Sequence, residues 1–221
     1  MPSARPSETT GFMVHSNRIH HHNRDRLIHW ARLYDLGTGL LGPRGSRMRA
    51  IFADDLQLRP GERALDVGCG PGRLAMVFAK RVSPTGSVEG IDPSVEMIKR
   101  ATTRARTKGM PANFQVAFAQ QLPFGDATFD AVACTLALHH VAEDDQQAAV
   151  AEMYRVLKPG GRLLIAEFHK GQPHLVPRWL RRFSDENMVD KALQFVNASG
   201  FTDAASGPTN LRWLGKITAR K

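Results

Sequence analysis

The sequence predicts an α/β protein built on a largely parallel sheet with helices on both faces. Three observations carry this. Between residues 62 and 171 short β-rich runs alternate with amphipathic helical ones. Several of those runs are apolar at consecutive positions, as strands covered on both faces require. A glycine-rich turn, Gly68-Cys-Gly-Pro-Gly72, sits where the first run passes into the first helical segment. A length of 221 residues with 42% hydrophobic and 23% charged side chains suits one such domain and excludes disordered, collagenous and disulfide-scaffold classes.

Residues 1–16, with Ser, Thr and Pro at their head, read as a flexible tail. Ile19, Leu27, Ile28, Trp30, Ala31 and Leu33 fall mostly at helical spacing, and the run ends at Gly37-Thr-Gly39. A second helix over residues 45–56 stops before Arg59-Pro-Gly61, a strong turn signal. Residues 17–60 are therefore expected as a helical lid ahead of a domain spanning 61–221. Strands are expected at 64–67, 87–91, 113–118, 129–134 and 162–168, with helices at 74–82, 95–106 and 144–157. Gly86, Gly109-Met-Pro111 and Pro159-Gly-Gly161 punctuate them. After a basic substrate-side loop at 169–183, a helix over 185–198 ends at Gly200. Strands at 202–206 and 211–219, around Gly207-Pro-Thr-Asn210, complete an antiparallel hairpin.

Lys and Arg number 30 against 21 Asp and Glu, a formal charge of +9. Residues 1–60 carry nine basic and five acidic side chains, 61–150 nine and ten, and 151–221 twelve and six. The excess in the flanks admits an anionic substrate, a membrane surface or RNA. No aromatic-interleaved basic motif accompanies it, so nucleic acid is not the expected partner. Residues 172–182 set Trp179 and Leu180 among Arg178, Arg181 and Arg182, which allows weak membrane-surface contact beside ordinary packing. The stretch 131–142 near the centre, free of Asp, Glu, Lys and Arg, has 12 residues, short of the ~20 that span a bilayer. Residues 1–10 lack a signal-peptide pattern, which points to the cytoplasm. Cys69 and Cys134 each end an apolar run and suggest neither disulfide nor zinc. Adjacent helix residues such as His20-His-His22 point in different directions, so no metal is expected.

Glycine at the strand-to-helix bend lets a ligand approach the main chain at the carboxyl edge of the sheet. Asp92 follows Gly72 by 20 residues at the end of the second strand, where an acid accepts ribose hydroxyls. The glycines run G-x-G-x-G and not G-x-G-x-x-G, which argues against a nicotinamide dinucleotide.

With Ala64-Leu-Asp-Val-Gly-Cys-Gly-Pro-Gly72, Gly90-Ile-Asp-Pro-Ser94, Met97, Leu122-Pro-Phe124, Phe129-Asp-Ala-Val132 and Leu157-Lys-Pro-Gly-Gly-Arg-Leu163 in order, the chain resembles a class I S-adenosylmethionine-dependent methyltransferase of the ubiquinone/menaquinone-biosynthesis type. The resemblance covers roughly residues 60–170. It implies a Rossmann-like seven-stranded sheet of order 3-2-1-4-5-7-6 with strand 7 antiparallel. It also implies a cofactor set of Asp66, Gly68, Gly70, Asp92, Pro93, Met97, Phe118, Ala119 and Thr135. Gly68 and Gly70 would lie against the methionine moiety, Asp92 would hold the ribose, and Pro93 and Met97 would pack near the adenine. Where the family usually has Gly-Asp-Ala, this chain has Ala117-Phe118-Ala119, so the acid that accepts from the adenine amino group is missing. Phe118 can stack against the ring instead, while the Ala119 N–H still reaches it.

Methyl transfer needs an aligned acceptor more than an obligatory triad, and an acidic acceptor also needs a base, for which histidine is suited at neutral pH. The nine histidines fall in two zones: His15, His20, His21, His22 and His29 at the front, and His139, His140, His169 and His174 after the fourth and fifth strands. His139 and His140 are the candidate acceptor-side base or orienting groups, although rings at a helix start also cap or pack. Glu167 and Tyr34 are further candidates for orienting the acceptor. The expected function is methyl transfer to a small molecule of aromatic, quinol or polyketide-like type, the alternatives being a catalytically silent cofactor-binding scaffold or a nucleic-acid-directed methyltransferase. Phe118→Asp should restore the missing acceptor and tighten S-adenosylmethionine binding roughly fivefold, the worth of one neutral hydrogen bond; an unchanged or weaker dissociation constant by calorimetry would refute the assignment.

Overall fold

A computed structural model describes residues 42–169 and 187–221. The expected tail with His15, the front helix with Tyr34 and four more histidines, and the 170–183 part of the basic loop lie outside the described residues. Helix α1 (Gly42–Asp55) precedes β1 (Arg63–Val67), α2 (Arg73–Val82), β2 (Ser87–Asp92), α3 (Val95–Lys108), β3 (Ala112–Val116) and β4 (Phe129–Thr135). A 3-10 turn (Leu138–His140), α4 (Glu143–Val156), β5 (Leu157–Phe168), α5 (Met188–Ala198), β6 (Thr202–Pro208) and β7 (Leu214–Arg220) follow. The sheet runs β3-β2-β1-β4-β5-β7-β6, with β7 antiparallel to both neighbours and the other pairings parallel. This is the expected order.

Consecutive apolar residues serve both faces. Ala64, Ala131, Ala133, Leu164 and Ala166 pack with α1 and α2, whereas Leu65, Val67, Val132, Leu163 and Ile165 pack with α4 and α5. Two boundaries differ from expectation. Pro159-Gly-Gly161 lies within β5 as a bulge, the register stepping from Phe129–Leu157 to Ala131–Arg162. Its backbone is satisfied from the far end of the chain: the Gly160 N–H donates to the Lys221 carbonyl at 2.8 Å and the Lys221 N–H to that of Gly161 at 3.0 Å. The final hairpin turns after Pro208, at 209–213, where the Thr209 hydroxyl accepts the Leu211 N–H at 3.1 Å and lies 2.8 Å from the Leu214 carbonyl.

Helix α1, expected as part of the lid, is seated on the sheet. Phe52, Ala53 and Leu56 are buried in one cluster with Phe78 of α2, and Asp55 meets Lys216 of β7 at 2.6 Å. Phe52→Ala should cost about 3–5 kcal/mol, as large-to-small changes in a packed core do, and lower the midpoint of a single urea transition. A stability unchanged from wild type would show that α1 is not part of the folding unit.

Candidate active site

At the carboxyl end of β1 the chain reverses through Gly68, Gly70 and Gly72, with φ values of 70°, 50° and 74°. At Gly68 the constraint is also steric, because a Cβ there would collide with the Cβ of Ala137. Glycine thus lets the loops after β1 and β4 close on one another. The Cys69 N–H donates to the Ile91 carbonyl at 2.8 Å. Asp92 at the tip of β2 takes the Gly70 N–H on Oδ2 at 3.0 Å and the Ser94 N–H on Oδ1 at 2.8 Å. Each carboxylate oxygen has two acceptor positions, so both retain capacity for hydroxyl donors. Burial raises the Asp92 pKa against the lowering effect of those two bonds. Asp66 is deeper, its Oδ2 accepting the Ala75 N–H of α2 at 3.1 Å. Burial pushes its carboxyl from 3.8 up to about 7, the Ala75 bond opposing and the charge of Asp92 adding.

Val95, Val116 and Phe118 are the large apolar side chains most exposed among the described residues, at 55%, 47% and 50%. All three lie beyond or at the ends of β2 and β3. Val116 pairs with Asp92, and the Ala117 N–H reaches the Asp92 carbonyl at 3.4 Å. Pro93 is exposed beside them; Met97 is buried in α3 and its N–H is capped by Ser94 Oγ at 3.4 Å. The segment carrying Phe118 and Ala119 is pinned downstream by Arg155, which donates to the carbonyls of Leu122 and Phe124 and to Glu152 and Asp126 at 2.7–3.2 Å.

On the acceptor side, Thr135 ends β4 and Leu136 takes a left-handed conformation, φ 53°, its N–H bonded to the Ala166 carbonyl at 2.8 Å. Glu167, 1% exposed at the end of β5, accepts the Leu138 N–H at 2.9 Å and the His139 N–H at 3.4 Å on Oε1, and meets His139 Nδ1 with Oε2 at 2.8 Å. The His139 ring is flanked by His140, centroids 4.0 Å apart, and by Phe168 at 5.1 Å; Phe168 in turn lies 5.7 Å from Trp213. His140 reaches solvent, yet loss of water around part of its ring, with the His139 ring beside it, pushes its pKa down to about 4. Sequence reasoning named His139 and Glu167 separately and missed their pairing. The signal was an acid closing the apolar run Leu163-Leu-Ile-Ala166. His169 is set against Gly215 of β7, while His174 and the front histidines lie outside the described residues.

The carboxyl edge thus presents a glycine turn after β1 with an acid on β2 to one side, and on the other a histidine–carboxylate pair from the loop after β4 and from β5. Residues 64–161 match the family described as "Methyltransferase domain". A "SAM dependent methyltransferase" from Aquifex aeolicus superposes with a TM-score of 0.71 at 20% identity, covering 82% of this chain and 95% of that one. The [4+2]-cyclase SpnF superposes with a TM-score of 0.70 at 24% identity, covering 80% and 81%. Residues 64–161 thus carry the likeness to a methyltransferase domain, and the sheet has the fold of the class I S-adenosylmethionine-dependent methyltransferases. Within that class the chain is 40% identical over 151 residues to the ubiquinone/menaquinone biosynthesis C-methyltransferase UbiE of Pseudomonas putida, a match covering 67% of this chain and 58% of that relative. It therefore spans little more than half the length of that relative. No helix among the described residues is long and apolar enough to cross a membrane.

The fold also sets a pH dependence through Asp66. Folded Asp66 keeps its proton up to about pH 7, whereas an unfolded aspartate loses it near 4, so between these values the folded state holds more protons and stability falls as pH rises. Asp66→Asn keeps an oxygen for the Ala75 N–H but has no proton to lose. Urea unfolding at pH 5 and pH 8 should show the variant gaining on wild type by a few kcal/mol at the higher pH; an equal difference at both would exclude a raised pKa.

Proposed function

We propose that the chain transfers a methyl group to a small-molecule acceptor carrying an acidic O–H, N–H or C–H, with His139 as the base. The observation that carries this is the 2.8 Å contact between His139 Nδ1 and the buried carboxylate of Glu167. An ionised carboxylate only accepts, so Nδ1 carries the proton and Nε2 is the basic nitrogen of that tautomer. Glu167 also stabilises the imidazolium formed when His139 takes a proton. His140, its pKa pushed down to about 4, is a poor proton acceptor at neutral pH and packs against the His139 ring, centroids 4.0 Å apart.

S-adenosylmethionine supplies an electrophilic methyl on a sulfonium, whose departure as a thioether needs no proton. The chain's task is then to hold donor and acceptor in line and to remove the acceptor proton. Gly68 and Gly70 fit the methionine portion because neither adds a side chain of its own at the turn. The open acceptor positions of Asp92 fit the ribose hydroxyls, and Phe118, with the Ala119 N–H and Pro93, fits the adenine; Asp66 and Met97 support these groups from below, and Thr135 borders them. UbiE relatives are C-methyltransferases by name, and a phenol or quinol acceptor belongs to the chemistry His139 suits.

The first test is calorimetry with S-adenosylmethionine and S-adenosylhomocysteine on wild type and Asp92→Ala, followed by transfer of a labelled methyl to a panel of phenols and hydroquinols. Micromolar binding that Asp92→Ala abolishes is expected, with His139→Asn lowering the transfer rate about 10²- to 10⁴-fold and leaving cofactor affinity unchanged. Folded wild type that binds neither ligand would overturn the methyltransferase reading, binding without turnover would favour a silent cofactor-binding scaffold, and full activity in His139→Asn would remove the base.

A further inference from the structure

We infer that Gln146 is a positioning residue for His139, gripping the 138–141 turn from the side opposite Glu167; this rests on the reading of His139 as the base. The turn has little hold of its own. It starts after Leu136 in a left-handed conformation and is closed by two short-range bonds, His140 N–H to the Ala137 carbonyl and Val141 N–H to the Leu138 carbonyl, both 3.0 Å. A single 3-10 turn sets a side-chain direction poorly unless other groups clamp it.

Gln146, 4% exposed in α4, reaches back into this turn. Its Nε2 lies 3.4 Å from the Leu138 carbonyl and 3.2 Å from that of Val141. An amide NH2 has two donor hydrogens, one for each carbonyl. Turning the amide over would set its oxygen against two carbonyl oxygens, so these partners fix its orientation. Leu138, the residue before His139, is then held at its N–H by Glu167 of β5 at 2.9 Å and at its carbonyl by Gln146 of α4. The other buried end of the amide, Oε1, has no protein partner among the described residues, which destabilises a fold. An apolar side chain of the same length would avoid that cost, and the two carbonyls give the physical reason for an amide here.

The test is the low-field imidazole N–H resonance of His139 in the full chain labelled with 15N-histidine, assigned by its absence in His139→Asn, together with methyl transfer to the best hydroquinol of the panel. Gln146→Met, similar in length but without donors, should lose the resonance to exchange. Its transfer rate should fall about tenfold, the worth of a hydrogen bond or two, at unchanged KM for S-adenosylmethionine. Gln146→Asn, with its donors on a shorter stem, should fall between Met and wild type. A folded Gln146→Met chain that keeps the resonance overturns the inference, and if that variant does not fold, a wild-type resonance and rate in Gln146→Asn does so. Wild-type activity in His139→Asn would instead overturn the base reading, while loss of the resonance in Gln146→Met would still show the amide holding the ring.

Discussion

At the carboxyl edge of the sheet, backbone N–H groups of irregular loops are held by carboxylates standing at the tips of strands. Asp92 on β2 takes the Gly70 N–H from the loop after β1, and Glu167 on β5 takes the Leu138 and His139 N–H groups from the loop after β4. Asp66 on β1 takes the Ala75 N–H of the helix that follows. Loops that follow parallel strands leave donors without ladder partners, and a buried unpaired N–H is costly. Each acid removes that cost and fixes the loop. In two of the three cases the loop belongs to a neighbouring strand, so sheet order decides which acid meets which loop.

The two halves of the site are joined where these loops meet. Ala137 occupies the space a side chain at Gly68 would need, so the glycine turn and the histidine turn share a boundary. The route from cofactor side to acceptor side is short: Gly68, Ala137, Leu138, His139. Beyond it lies an aromatic series, His139, Phe168 and Trp213, contributed by β4's loop, β5 and the last hairpin. Residues from the loop after β4, from β5 and from the last hairpin therefore set one imidazole.

Much of this was legible in residue pattern. Alternating apolar runs and the glycine turn were enough for a parallel α/β sheet, because each reports a local rule: strands buried on both faces need unbroken apolar runs, and a strand-to-helix bend needs φ values that glycine tolerates. Asp92 was legible from its spacing, and His139, His140 and Glu167 from residue type at strand ends. The bulge at Pro159-Gly-Gly161 was read as a turn, since the groups that satisfy it come from Lys221. The seating of α1 was equally hidden, its Asp55 meeting Lys216 across most of the chain.

The sequence by itself determined the class of fold, the place of the cofactor turn and the candidate acids and histidines, because those follow from periodicity, glycine and short motifs acting over a few residues. Tertiary structure alone decided that Glu167 grips His139, that Gln146 of α4 meets the same turn, and that Ala137 closes on Gly68. These contacts join strands and helices adjacent in the sheet but distant in the chain. The hydrogen bonds form only once packing has brought the elements within about 3 Å of each other, a distance no local spacing encodes.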